Sequence, residues 1–285
     1  MMPTTQAPTA EQLADKRRRF RHLHTSGCFV IPNPWDLGSA HLLQALGFQA
    51  LASTSAGFAW SRARADNHVS REMVLAHLAE LVTGTDLPVN ADFENGFGVD
   101  AAAVDDSVRL AVATGVAGLS IEDSTGNAAQ PLFSVEAACE RLRAARGAID
   151  GSGANVMLVG RAECFLVGRP DIDETVARLQ AYAQAGADCL YAPGIKKPEH
   201  VAAVVAAVAP KPVNLLLGGA GSMTVQEAAA LGVRRISVGG AMARAAWGGF
   251  LRAARLLAEQ GRFDGFEGAA SGQELNATFQ SQSKG

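Results

Sequence analysis

The sequence has little of what marks several protein classes. Its four cysteines, Cys28, Cys139, Cys164 and Cys189, show no Cys-x-x-Cys or Cys-x-x-His spacing, which argues against a zinc site and a disulfide scaffold. Lys and Arg number 25 against 28 Asp and Glu, so no broad positive field exists to attract nucleic acid. The longest aliphatic run, VAAVVAAVA at 201–209, is too short to cross a bilayer and reads as a buried helix. The opening MMPTTQAPTAEQ lacks an apolar core of the signal-peptide kind, so a soluble, cytoplasmic protein is expected. No Gly-x-Gly-x-x-Gly turn follows the first apolar run, where IPNPWD stands instead, and this counts against a dinucleotide-binding open sheet. The one basic cluster, KRRRFRH at 16–22, reads as a solvated helix face.

What is present is a regular beat. Eight short apolar runs recur: CFVIPN (28–33), QALAST (49–54), PVNADF (88–93), AGLSIED (117–123), NVMLVGR (155–161), DCLYAPG (188–194), PVNLLLGG (212–219) and RRISVGG (234–240). Continuous apolar runs suit parallel strands covered on both faces. The segments between them carry helical spacing, as in SVEAACERLRAARGAI, where Val135, Ala138, Leu142 and Ala145 recur every three or four residues. Eight strands alternating with helices predict an α/β protein, a (β/α)8 TIM barrel. With no linker-like composition, residues 1–285 read as one barrel domain with an added N-terminal helix from about Thr9. Flexible tails are expected at about 1–8 and 269–285.

Barrels of this kind carry their active sites at the C-terminal strand ends. There the sequence places Asp92 and Glu94 after the third strand, Glu122 and Asp123 after the fourth, Arg161 and Glu163 after the fifth, and Asn214 on the seventh. Clustered carboxylates repel one another and are costly to desolvate unless a cation compensates. Oxygen-only ligands favour Mg²⁺, or Mn²⁺, which keep several waters. Arg161 offers a planar fork for a substrate carboxylate. The plainer alternative has Asp123 capping the next loop and Glu163 pairing with Arg161. Tyr191 is a candidate proton donor and Asn214 a substrate hydrogen-bonding group. The Gly-Gly corners at 218–219 and 239–240 leave a phosphate-binding barrel open as an alternative.

Five segments, GFQALASTSAGFAWSRARAD (47–66), NADFENGFG (90–98), GLSIEDS (118–124), LVGRAECFLVG (158–168) and AGADCLYAPG (185–194), resemble the isocitrate lyase/phosphoenolpyruvate mutase superfamily. The similarity runs from about 28 to 260. It implies a barrel whose last helix is exchanged with a neighbouring subunit in a dimer or tetramer. It also implies Mg²⁺-dependent cleavage of a C–C or P–C bond through the enolate of a 2-oxo acid. The family's metal-site acids correspond to Asp66, Asp92, Glu94 and Glu122, with Asp-x-Glu here in place of Asp-x-Asp. Its cradle for the substrate carboxylate and enolate oxygen falls on Thr54, Ser55 and Ala56, and its substrate arginine on Arg161.

The departures are as informative. The family's gating loop after the fourth strand carries a Lys or a catalytic Cys, whereas EDSTGNAAQPLFSVEAA has no Lys, His or Arg. Cys139 lies further along and reads as a core residue, and Pro193 replaces the mutase-type His. The expectation is a Mg²⁺-dependent C–C lyase of a small 2-oxo or 2-hydroxy di- or tricarboxylate, like an oxaloacetate decarboxylase or a methylisocitrate or dimethylmalate lyase. A phosphonomutase or phosphonopyruvate hydrolase, a phosphosugar enzyme, and a non-catalytic 2-oxo acid binder are the alternatives.

Overall fold

The computed structural model describes residues 7–282. Eight parallel strands form one sheet: β1 Phe29–Ile31, β2 Leu51–Ala52, β3 Val89–Asp92, β4 Gly118–Glu122, β5 Met157–Arg161, β6 Cys189–Tyr191, β7 Val213–Leu216 and β8 Arg235–Ser237. The order β1-β8-β7-β6-β5-β4-β3-β2 brings the ends of the sheet together. The Ala52 amide donates to the Pro32 carbonyl at 3.0 Å, so the circle is nearly closed. Every predicted apolar run contains one of these strands. The fold is the expected (β/α)8 barrel.

The helices among the described residues are α1 Ala10–Leu23, α2 Leu37–Ala45, α3 Ser55–Ser61, α4 Arg71–Gly84, α5 Ala101–Ala113, α6 Val135–Ser152, α7 Ile172–Gln184, α8 Pro198–Val208, α9 Val225–Ala230, α10 Ala241–Gln260 and α11 Gly272–Gln282. None is long and apolar enough to cross a membrane. Side-chain oxygens start most of them: Thr9, Asp36, Thr54, Ser70, Asp100, Ser134, Asp171 and Thr224 each accept an amide of the first turn. The larger core lies between sheet and helices. A smaller cluster of Phe20, Ile31, Ala50, Ala52, Ala117, Met157, Val159, Cys189 and Tyr191 fills the barrel interior.

Phe20 belongs to α1, not to a strand, so α1 lies across the N-terminal end of the barrel and plugs it. This corrects the reading of KRRRFRH as a solvated face. Lys16 Nζ donates to the Val82 carbonyl at 2.9 Å and also to that of Thr85. Arg17 reaches the carbonyls of Val112 and Val116, and Arg19 that of Asp86. Helix ends leave carbonyls without helical partners, and here a neighbouring helix supplies the donors.

The C-terminal segment differs from expectation too. Gly272–Gln282 is helical and packs against α2, with Phe279 beside His41 at 6.4 Å between ring centroids. Apolar contact with α2 orders a stretch whose composition suggested a tail. Of the expected tails, residues 1–6 and 283–285 lie outside the described residues. Cys139 is a buried core residue within α6, as read from the sequence.

If α1 is the barrel plug, Phe20→Ala leaves a hole beneath the strands. Chemical denaturation is expected to show a loss of about 3–5 kcal/mol. A loss below about 1 kcal/mol would mean that the plug carries no stability.

Candidate active site

The C-terminal strand ends enclose a cavity of about 180 Å³. Thr54, Ser55, Ala56, Asp66, Asp92, Arg161, Tyr191 and Asn214, all expected from the sequence, line it. Asn33, Asn90, Ser120, Arg235 and Ser237 also line it and were not proposed as site residues. Glu94 and Glu122 lie just outside this lining, Glu122 against Arg161 and Glu94 near Asp92 and Asp66. Tyr191 points into the barrel, so strand alternation does not carry it into the helix layer.

Asp92 ends β3 and is tightly positioned. Its amide donates to Ser53 Oγ at 2.8 Å, and its Oδ2 accepts the Ser55 amide at 2.9 Å. One amide of the expected Thr54–Ala56 cradle is thereby committed to Asp92. Its Oδ1 lies 3.3 Å from Arg161 Nη1. The same Nη1 is 3.3 Å from Glu122 Oε2, while Arg161 Nε pairs with Glu163. The guanidinium carbon sits 5.1 Å from the centre of the Tyr191 ring. Burial works against the Arg161 charge, but Glu163, Glu122, Tyr191 and Asp92 together hold it firmly protonated.

The acids outnumber this arginine. Burial, then Asp92 and Asp66, push the Glu94 carboxyl up to about 8, with Arg161 offsetting only part. Burial also raises Glu122 well above the usual carboxylate range; Arg161 opposes this, while Glu163, Asp92 and Glu94 add to it. Asp66, on the exposed loop after α3, is raised by burial of its carboxyl and by Asp92, against hydrogen bonds from Ser55 and Asn67. Glu94 Oε1 is buried without a partner. Its backbone is left-handed at φ 46°, a conformation that costs a non-glycine residue about 1–2 kcal/mol. Its carbonyl accepts the Glu122 amide at 2.9 Å, which ties the turn after β3 to β4.

Among the described residues, no three His, Cys, Asp or Glu side chains converge as a direct ligand set. The donors are nevertheless all hard oxygens, and an orphaned acid oxygen stands beside them. That chemistry fits a cation of the Mg²⁺ type, which takes one or two carboxylates directly and the rest through water.

Asp123 is a different case. Its carboxylate accepts Tyr182 Oη at 2.6 Å, Arg178 Nη1 at 3.1 Å and the Glu163 amide at 2.8 Å. These bonds turn it into the wall between β4 and α7, so it is a structural anchor rather than a rim acid. Tyr191 keeps its proton: burial pushes its hydroxyl up to about 12, despite Arg161 and a hydrogen bond with Ser237.

Asn33 supports the opposite rim. Its Nδ2 donates to the Ser53 carbonyl at 2.9 Å, and its Oδ1 accepts the amides of Val238 and Gly239, each at 2.9 Å. The Gly239 amide is therefore occupied, which counts against a phosphate cradle at this corner. The loop 123–134 carries an isolated bridge between Ser124 and Leu132 and exposes Gly126 to Gln130, with no cationic side chain.

Comparison with known proteins agrees with this fold. The family "Phosphoenolpyruvate phosphomutase" matches residues 20–258. An uncharacterized protein of Mycobacterium tuberculosis is 31% identical over 222 residues, 77% of this chain and 81% of its own. An oxaloacetate decarboxylase of Paraburkholderia xenovorans is 29% identical over 216 residues, covering 72% and 69% of the two chains. A Burkholderia cenocepacia J2315 structure assigned as a candidate lyase/mutase superposes with a TM-score of 0.92 at 48% identity, covering 94% and 98%. Oxaloacetate acetylhydrolase in complex with oxalate gives 0.83 at 25% identity, covering 93% and 94%.

Asn33→Ala strips the partners from two strand-end amides and one carbonyl. A stability loss of about 2–3 kcal/mol is expected in chemical denaturation. A change within about 0.5 kcal/mol would show that Asn33 does not hold the rim together.

Proposed function

The chain belongs to the phosphoenolpyruvate phosphomutase family, and on that premise we propose that it is a Mg²⁺-dependent carbon–carbon lyase. Its substrate is a small 2-oxo or 2-hydroxy di- or tricarboxylate, with oxaloacetate decarboxylation as the reaction favoured. One observation carries this reading. Asp92, fixed by Ser53, Ser55 and Arg161, faces a small polar cavity beside an orphaned Glu94 oxygen, while the loop above supplies neither Lys nor Cys.

Asp92 would hold the cation, with Asp66, Glu94 and Glu122 reaching it through water. When bound, the cation supplies Lewis-acid stabilisation of the negative charge that develops on the 2-oxo oxygen. In decarboxylation, the bond to the departing carboxylate breaks, CO₂ leaves, and its electron pair passes into the enolate. The protein then delivers a proton to the former carbanion carbon. Tyr191 Oη, which lines the cavity and stays protonated, is the group assigned to donate it. Arg161 keeps Asp92 and Glu122 in place, and the Nδ2 hydrogen of Asn214 that is not given to Ser237 orients the substrate from β7. Bond cleavage needs no acid from the loop, so the missing Cys is tolerated.

Phosphorus–carbon chemistry is disfavoured because no cation on loop 123–134 meets a phosphonate. The same proposal includes a single barrel domain, a cytoplasmic setting and a homo-oligomer. Trp247, Phe250 and Leu251 on α10, with Phe263 and Phe266 beyond it, form an exposed apolar strip suited to a second copy of this chain.

A panel of oxaloacetate, methylisocitrate, isocitrate, dimethylmalate and phosphonopyruvate with Mg²⁺ tests the reaction. Pyruvate from oxaloacetate is expected, abolished by a chelator and reduced at least about 100-fold by Asp92→Ala. Turnover of phosphonopyruvate alone would favour the phosphorus–carbon reading, and Asp92→Ala with full activity would remove the metal assignment. Sedimentation is expected to show a dimer or larger species that Phe250→Glu weakens; a monomeric wild-type protein would rule out that use of the strip.

A further inference from the structure

The cavity contains a second arginine. Arg235, the first residue of β8, is only 2% exposed, yet it lines the same cavity as Asp92 and Arg161. Its position follows from strand alternation. Arg235 and Ser237 share the barrel-facing side of β8, and Ile236 between them joins the outer core.

The two arginines have opposite surroundings. Arg161 is enclosed by acids, its Nε given to Glu163 and its Nη1 shared by Asp92 and Glu122. Arg235 has no carboxylate partner among the described residues. Its Nε donates to Asn214 Oδ1 at 2.8 Å and its Nη1 to Asn90 Oδ1 at 3.4 Å. Asn214 Nδ2 donates in turn to Ser237 Oγ at 2.9 Å. The neighbouring His24 is neutral, its pKa driven down to about 3 by burial and then by Arg235. A buried guanidinium supported only by amide oxygens keeps its positive charge uncompensated.

We propose that Arg235 is the substrate-binding cation of this site: it receives the substrate carboxylate that is retained in the product, inside the barrel. The inference rests on the function proposed above. First, an incoming carboxylate competes at Arg161 with three carboxylates already in place, but at Arg235 it meets an unpaired charge. The amide partners are neutral, so they fix the guanidinium without cancelling it. Second, a guanidinium that binds a carboxylate stabilises the anion, and so opposes its loss as CO₂. Arg235 therefore suits the carboxylate next to the 2-oxo carbon and not one that departs. Small residues that line the same cavity, Ala52, Ser120 and Ser237, leave space for this carboxylate.

Oxalate with Mg²⁺ is the probe, since it presents that carboxylate without a reactive bond. In calorimetric titration, Arg235→Gln is expected to weaken oxalate by about 10- to 100-fold. Mn²⁺ binding, read separately, is expected to remain within about twofold, because Asp92 is untouched. Arg235→Lys keeps the charge and is expected to retain an affinity between the two; it also serves if Arg235→Gln does not fold. A purely structural arginine would lower the melting temperature of the free protein but leave oxalate affinity unchanged in both variants, and that result overturns the inference alone. Wild-type protein that binds Mn²⁺ but not oxalate would overturn the proposed function and the role of Arg235 with it.

Discussion

Arg161 stands among Asp92, Glu122 and Glu163 with Tyr191 against its face, and the site is organised by that crowding. One guanidinium cannot neutralise so many acids. Its charge holds Asp92 in a fixed orientation and offsets Glu122, but Glu94 is left with a buried, unpartnered oxygen and a proton held to about 8. This excess of carboxylates over cationic side chains makes a divalent cation, displacing such protons, the natural complement of the rim. The same ion pairs engage Nε and Nη1 of Arg161, which weakens its pull on an entering carboxylate. Arg235, unpaired at the heart of the barrel, is in the position to meet that carboxylate.

The fold supports this separation of charge. Parallel strands put acids and Arg161 at their C-terminal ends, while the interior below them is narrow and lined by small polar groups. At the other end, Phe20 from α1 closes the barrel. Asn33 and the Asp123–Arg178–Tyr182 group brace the rim from opposite sides. The left-handed backbone at Glu94 adds strain where the chain turns away from Asp92, and such strain persists only where surrounding bonds enforce it. Here the Glu94 carbonyl is bound by β4.

Much of this was legible from residues alone, for a physical reason. Strands buried on both faces leave unbroken apolar runs, and the barrel rule then converts their ends into a candidate site. Asp92, Arg161, Tyr191 and Asn214 were found that way. What escaped depends on partners distant in sequence. Lys16 and Arg17 read as solvated because their acceptors are carbonyls in α4, α5 and the segments after them. Gly272–Gln282 read as a tail because α2 supplies its apolar partner. Arg235 is not singled out by the sequence, since a charge at the start of an apolar run by itself carries no mark of its burial. A signal did exist: in RRISVGG it lies two residues before Ser237, on the same side of the strand.

An acid rim of this kind is completed by a divalent cation that cooperates with a 2-oxo acid ligand. Calorimetric titration of Mg²⁺ with and without oxalate, and of oxalate with and without Mg²⁺, tests it most directly. Each is expected to raise the other's affinity by the same factor, about tenfold or more, as linkage requires for two ligands sharing one site. Oxalate binding that is equally tight in the presence of a chelator would contradict it.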